Sequence, residues 1–244
     1  PKRSGNLSDL LVKSEAIKVM IDHHIDPDTD FYNLTFSKIA VSSTAELVYE
    51  LLETMGFLEY INKEIAENIY VGIITDTGSF SFSIKNPATF TICARLIDLG
   101  VDGEKVHRLV YDTFSENRLR LLGHSINNCM MVLDNYKTAI ITLSIRDLQR
   151  FKYQIGDTEG LVNYPLSMEH INFAILVTER KDQIRLSFRS KGSFSVNDFA
   201  RLHFDGGGHY NAAGGNASLS LKETVSSLLS LLPQYAADLD YKYA

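Results

Sequence analysis

Asp22, His23 and His24 follow directly on the apolar run Val19-Met20-Ile21. A short continuous apolar run reads as a buried parallel strand. In open α/β sheets ligands gather just beyond the carboxyl ends of such strands. A carboxylate and two imidazoles at that position suit a divalent transition metal. The bland alternative is a solvated strand end. A second carboxylate with hydroxyls around it, Thr75-Asp76-Thr77-Gly78-Ser79, follows an i, i+4, i+8 repeat of Ile65, Ile69 and Ile73. It reads equally as a site loop at a helix end or as an Asx turn. Farther along, Gly206-Gly207-Gly208-His209 offers a glycine loop whose N–H groups can form a concave anion nest, with His209 as an added donor. Just before it, Arg189-Ser190-Lys191-Gly192 sets a guanidinium, a hydroxyl and an ammonium in a row, which suits phosphate. Arg180, Lys181, Arg185 and Arg201 thicken this basic span. A basic strand is more often a solvated face, and glycines serve ordinary turns. Basic run and glycine loop together favour an anion site.

The elements that must position these residues are legible in outline. Residues 6–16 suggest a short helix, 17–21 a strand, Ile25–Asp28 a turn, and Phe31–Ile39 holds a short strand. Ser43-Thr44-Ala45-Glu46 predicts a capping box opening a helix that Gly56 stops. Residues 62–75 read as a helix, and Asn86-Pro87 opens another that ends at Gly100. Leu119, Leu122, Ile126, Met130 and Leu133 predict one connecting helix from about 115 to 133. Beyond it come a strand at 138–143, helical stretches at 145–152 and 158–168, and a strand at 171–178. The alternation of Ile184, Leu186 and Phe188 with Arg185, Ser187 and Arg189 predicts a half-buried strand. A helix over Val196–Phe204 and one opened by a Ser220–Glu223 capping box complete the chain. The expected architecture is α/β. It comprises a partial doubly wound parallel sheet lacking its N-terminal part (1–114), a connecting helix (115–135), and a smaller α/β domain with a mixed sheet (136–244).

Composition narrows the function classes. The chain has 244 residues, 45% hydrophobic and 22% charged, enough apolar material for a core. Its net charge of -6 excludes bulk electrostatic binding of nucleic acid, so phosphate contacts must be local. Cys93 and Cys129 lie in apolar, helix-like contexts and are expected to be buried free thiols of a reducing compartment. No apolar run approaches the ~18–20 residues needed to span a bilayer, and the expected location is cytoplasmic. A metal-type site early and an anion-type site late combine economically as a metal-dependent phosphoesterase.

Asp22-His23-His24 resembles the signature of the DHH phosphoesterases. Gly206-Gly207-Gly208-His209 resembles that of the DHH-associated domain 1 found in one branch of them. Thr75-Asp76-Thr77-Gly78 and Arg189-Ser190-Lys191-Gly192 fit the motifs expected between. The resemblance implies a hydrolase using two manganese ions. His23 and Asp76 would be metal ligands, Asp22 would orient His23, and His24 would meet the scissile phosphate. Arg189, Ser190, Gly206, Gly207, Gly208 and His209 would hold the substrate. Two earlier family motifs, a His/Asp cluster and a metal-bridging Asp, are not in this sequence. The chain is therefore expected to be part of a longer active enzyme and inactive alone. The compact second lobe resembles that of the family branch that hydrolyses short oligonucleotides and 3′-phosphoadenosine 5′-phosphate. The substrate would be such an oligonucleotide or nucleoside bisphosphate, with no membrane partner and a homodimer allowed. An exopolyphosphatase-type hydrolase and a non-catalytic nucleotide- or phosphate-binding protein are the alternatives.

Overall fold

The computed structural model describes residues 2–241 except Asp26, Ser83 and Lys85. The turn expected over Ile25–Asp28 contains Asp26 and so falls partly outside the described residues. The chain divides into two compact units, Pro1–Thr113 and Phe114–Ala244.

The first unit runs α1 (Ser8–Lys13), β1 (Val19–Asp22), β2 (Leu34–Ser37), α2 (Thr44–Thr54), α3 (Lys63–Asp76), α4 (Ala88–Asp98) and α5 (Gly103–Tyr111). β1 and β2 pair in parallel, from Val19↔Leu34 to Asp22↔Ser37. The parallel pairing is as expected, but the deep burial is not: Val19, Leu34 and Phe36 are exposed. The apolar core of this unit lies among the helices, where Tyr49, Ile69, Ile73, Ile92, Leu96 and Val106 pack together, and no residue of β1 or β2 belongs to it. α2 starts at Ser43, whose Oγ accepts the Glu46 N–H at 3.0 Å. The predicted reciprocal bond of a capping box is replaced. Buried Glu46 turns its Oε2 to the Ser42 N–H and hydroxyl and to Thr89 Oγ1 on α4. Ser42 and a partner on another helix thus take the place of the Ser43 N–H. Asn62 caps α3 by accepting the Ile65 N–H at 2.9 Å, and α3 ends on Asp76 itself.

The second unit runs α6 (Glu116–Asn128), β3 (Met130–Leu133), β4 (Thr138–Leu143), α7 (Ile145–Arg150), β5 (Phe173–Glu179), β6 (Ile184–Ser190), α8 (Val196–His203), β7 (Asp205–His209), β8 (Ala212–Ala217) and α9 (Leu221–Leu231). Its sheet is mixed, in the order β3-β4-β5-β6-β8-β7, with β4 and β5 parallel and the other pairs antiparallel. Strand alternation builds a core on each face. Phe173, Ile175, Val177, Leu186 and Phe188 face one cluster with Phe199 and Leu228. Ala174, Leu176, Ile141 and Leu143 face another with Leu121 and Leu148. A helical turn over Leu161–Ser167 stands where a longer helix was expected.

The predicted helix over 115–133 is interrupted. α6 stops at Asn128, and Met130–Leu133 leaves it to pair antiparallel with β4. The buried positions of α6 are Leu121 and Ser125, whereas Leu119 is exposed. The apparent stripe through Met130 and Leu133 therefore mixes helix and strand residues, because an edge strand satisfies backbone groups that a longer helix would have kept to itself.

Candidate active site

In the first unit β1 delivers Asp22 and then His23 and His24 at its carboxyl end, while α3 delivers Asp76 from its last residue. His23 Nε2 stands 3.5 Å from Asp76 Oδ2, with His23 buried and the Asp76 side chain half exposed. Two donors bound to one divalent ion at ~2.0–2.2 Å sit about 3.0–3.5 Å apart. An imidazole nitrogen and a carboxylate oxygen at this separation fit a shared ion. Burial pushes the Asp76 carboxyl up, and His23 and His24 offset that only in part.

The Asp22 carboxylate turns to the His24 ring. Its Oδ1 lies 2.5 Å from His24 Nδ1 and also accepts the N–H groups of His23, at 2.9 Å, and His24, at 3.3 Å. β1 ends at Asp22, and His23 and His24 follow it with their rings 4.9 Å apart, edge to face. Burial works to raise the Asp22 carboxyl, but the His24 ring and the two N–H bonds outweigh it and hold Asp22 below the ordinary range. The Asp22 anion thereby fixes His24 through Nδ1.

The turn after Asp76 is strained. Gly78, Ser79 and Phe80 all carry positive φ, at 53°, 55° and 64°, a conformation that costs a non-glycine residue roughly 1–2 kcal/mol. Thr77 holds it: its buried hydroxyl donates to Ile73 O at 2.8 Å and accepts the Phe80 N–H at 3.0 Å. Ser79 N donates to Ile74 O at 2.7 Å, and Tyr111 Oη donates to the same carbonyl at 2.8 Å. The expected loop around Asp76 is therefore a rigid helix terminus. Tyr111 carried no signal in the sequence, since nothing local links it to residue 74.

In the second unit Arg189 and His209 occupy one row of the sheet. Arg189 pairs with Ala212, and Ala212 pairs with His209. A small residue thus separates a guanidinium-bearing position from an imidazole-bearing one. Burial pulls Arg189 down, with partial compensation from Glu159. Ser190 does not join Arg189: the alternation of β6 puts it on the buried face, where its hydroxyl donates to Phe194 O at 2.7 Å and accepts Asn211 Nδ2 at 2.9 Å. Lys191 Nζ donates to Met168 O at 2.9 Å. The three polar groups read as a row in sequence are split by the period of the strand.

Gly206, Gly207 and Gly208 form strand β7, not a loop nest. An added Cβ at Gly206 would lie 2.2 Å from Gly214 O and 2.7 Å from Gly215 Cα. One at Gly208 would lie 2.5 Å from Ala212 O and 2.7 Å from Ala213 Cα. Glycine is needed there so that β7 can press on the backbone of β8. The Gly208 N–H donates to Oδ1 of buried Asn197 at 2.9 Å. Asn197 is a positioning residue that sequence reasoning missed, because a polar residue in the first turn of α8 carries no mark of a tertiary bond.

The comparisons with known proteins agree with this layout. The model of the DHH family, N-terminal domain, matches residues 4–73, and that of the DHHA1 domain matches residues 136–238. The bifunctional oligoribonuclease and PAP phosphatase NrnA of Bacillus subtilis (strain 168) is 31% identical over 210 residues, covering 85% of this chain and 65% of the relative. The Thermus thermophilus protein of the same name is 29% identical over 204 residues, covering 83% and 59%. The chain spans about three fifths of the length of these curated relatives. The crystal structure of an exopolyphosphatase-related protein from Bacteroides fragilis matches at 40% identity with a TM-score of 0.92, covering 98% of this chain and 70% of that one. Two domain models in this order, with that structural match over nearly the whole chain, show that the chain belongs to the DHH family and carries a DHHA1 domain.

Proposed function

We propose that the full-length protein is a divalent-metal phosphohydrolase that cleaves a terminal phosphate ester or anhydride of a short polyanion. The observation that carries this reading is the pairing of His23 Nε2 with Asp76 Oδ2 at 3.5 Å, delivered by a strand end and a helix end. His23 and Asp76 would hold the ion, which the family resemblance gives as manganese, two per active enzyme. Bound there, it supplies charge neutralisation at phosphoryl oxygens and activation of water.

The chain's own residues do the rest. Asp22 fixes the His24 ring through Nδ1, which leaves Nε2 as the atom that meets the scissile phosphate. The Thr77 and Tyr111 hydroxyls hold the end of α3 so that Asp76 stays in place. Residues 1–114 carry the metal chemistry in this reading, and residues 136–244 hold the substrate, with Arg189 and His209 taking a phosphate that does not react.

Two substrate classes have specific support. Short oligonucleotides and nucleoside 3′,5′-bisphosphates are supported by the names of the Bacillus and Thermus relatives. A polyphosphate chain cut from its end is supported by the likeness to the Bacteroides protein, which has the higher identity and coverage. The test is hydrolysis by the full-length protein with Mn²⁺, offered a two- to five-nucleotide RNA, adenosine 3′,5′-bisphosphate and polyphosphate in parallel. Mononucleotide or phosphate release from the first two assigns the nucleotide class, and turnover of polyphosphate alone assigns the other. Turnover of none, with no metal retained, would make the protein a phosphate- or nucleotide-binding one and overturn the proposal.

A further inference from the structure

His124, Cys129 and Asp147 belong to none of the motifs used above, yet the fold of the second unit gathers them. Their donor atoms all lie within 4.8 Å of one another, and His124 Nε2 is 2.9 Å from Asp147 Oδ1. Each is held from behind. Asp147 Oδ2 accepts the Ser144 N–H at 2.9 Å and the Ser144 hydroxyl at 2.6 Å, in the capping box of α7, which leaves Oδ1 for another partner. The His124 ring packs on Phe151 at 5.0 Å. Cys129 ends α6, and its carbonyl accepts the Thr142 N–H of β4 at 3.0 Å.

We propose that His124, Cys129 and Asp147 form a binding site for a thiophilic d-block dication of the zinc class. One thiolate, one imidazole and one carboxylate are the donor types such ions take, whereas magnesium, calcium and manganese are poor partners for a thiolate. Donors in a tetrahedral site stand about 3.3–3.8 Å apart. The cluster therefore closes around an ion by side-chain movements of at most ~1 Å, with the His124–Asp147 hydrogen bond opening. Binding releases the thiol proton to solvent as the Cys129 sulfur becomes a ligand. Three protein donors leave one tetrahedral position for water or an exogenous ligand. The ion would join the end of α6, the start of α7 and strand β4.

The charges are compatible with this occupant. Burial acts to raise the Asp147 carboxyl, but hydrogen bonds from Ser144 and His124 outweigh it and keep the group anionic. Burial, and then the Asp147 charge, push the Cys129 thiol up; a cation among the donors offsets both effects.

Cobalt(II) is the probe, because a cobalt–thiolate bond gives a charge-transfer band in the near ultraviolet that nitrogen and oxygen ligands do not. Cys93 and Cys129 are the only cysteines of these 244 residues, so within this chain the band reports on one of two residues. The full chain titrated with Co²⁺ is expected to show the band saturating at one equivalent. It should be lost in Cys129→Ser, retained in Cys93→Ser, and resistant to excess Mn²⁺. Zn²⁺ affinity by chelator competition should fall at least about a hundredfold in Cys129→Ser, since even residues that only orient ligands change affinity by about 10- to 100-fold. Absence of the band in the wild type, its survival in Cys129→Ser, or its displacement by Mn²⁺ would overturn the assignment. If Cys129→Ser fails to fold, loss of the band in Cys93→Ser would still overturn the assignment.

Discussion

Replacing Gly206 by alanine places a methyl group against backbone that has nowhere to go. The new Cβ would stand 2.2 Å from Gly214 O and 2.7 Å from Gly215 Cα, where ordinary contact begins at 3.4 Å. β7 must then move away from β8 by about 1 Å, across the pairs Gly206↔Gly215 and Gly207↔Gly214. Overpacking of this kind costs about 1–3 kcal/mol, against which the restricted unfolded chain returns about 0.4–1 kcal/mol. The net expectation is a loss of about 1–2 kcal/mol, or roughly 2–8 °C in the Tm of the chain. Gly214→Ala is the internal control. Its Cβ would meet only Leu186 O, at 3.5 Å, so it should be neutral or slightly stabilising. Thermal and urea unfolding of both variants beside the wild type checks the pair. Equal stability of Gly206→Ala and wild type, or equal damage from Gly214→Ala, would refute the reading of these glycines as a strand contact.

Asn197→Ala should cost about 1–2 kcal/mol by leaving the Gly208 N–H without its side-chain acceptor, and amide exchange at Gly208 should quicken; an unchanged protection factor would sink the point. Tyr111→Phe should lower stability by about 1 kcal/mol through loss of the bond to Ile74 O, as read from denaturant midpoints. The Cys93 thiol is pushed up to about 11 by burial and then by the charge of Glu46. Because the folded value lies above the unfolded one, the contribution is whole below pH 9 and is lost as pH rises through 11. The wild type should lose about 2 kcal/mol over that window relative to Cys93→Ala, and parallel pH–stability curves would contradict it.

Where the pattern was long and local, the sequence was a good guide. The strand expected over 138–143 is Thr138–Leu143 and the helix expected over 62–75 is Lys63–Asp76, the latter because the Ile65, Ile69, Ile73 repeat is long and its cap Asn62 is adjacent in sequence. The motif carboxylates and imidazoles were likewise legible as residues, since their chemistry has no use in a core. Their partners were not. Asp22 bonds the His24 ring, which lies past the end of β1 where no periodic pattern specifies it. Ser190 goes to the buried face because of strand parity, which register alone decides. The three glycines looked like a loop, since glycine is equally permissive in a loop and in a strand pressed on its neighbour. Only the position of β8 distinguishes the two. Cys129, expected to be buried, is half-buried at the end of α6, because the helix stops where the edge strand begins. Asn197, Tyr111 and the Glu46–Thr89 bond were invisible for a common reason: each depends on residues at least 11 positions apart.

The central claim is that His23 and Asp76 bring a divalent ion to phosphate chemistry. The most direct test measures Mn²⁺-dependent product release and bound metal together, on the full-length protein and on its His23→Ala variant. The account predicts turnover that chelation abolishes and that metal restores. In His23→Ala it predicts loss of bound metal together with a fall in kcat of at least about a hundredfold, at unchanged far-ultraviolet circular dichroism. Turnover that survives chelation, or a His23→Ala protein that keeps both its metal and its rate, would contradict it.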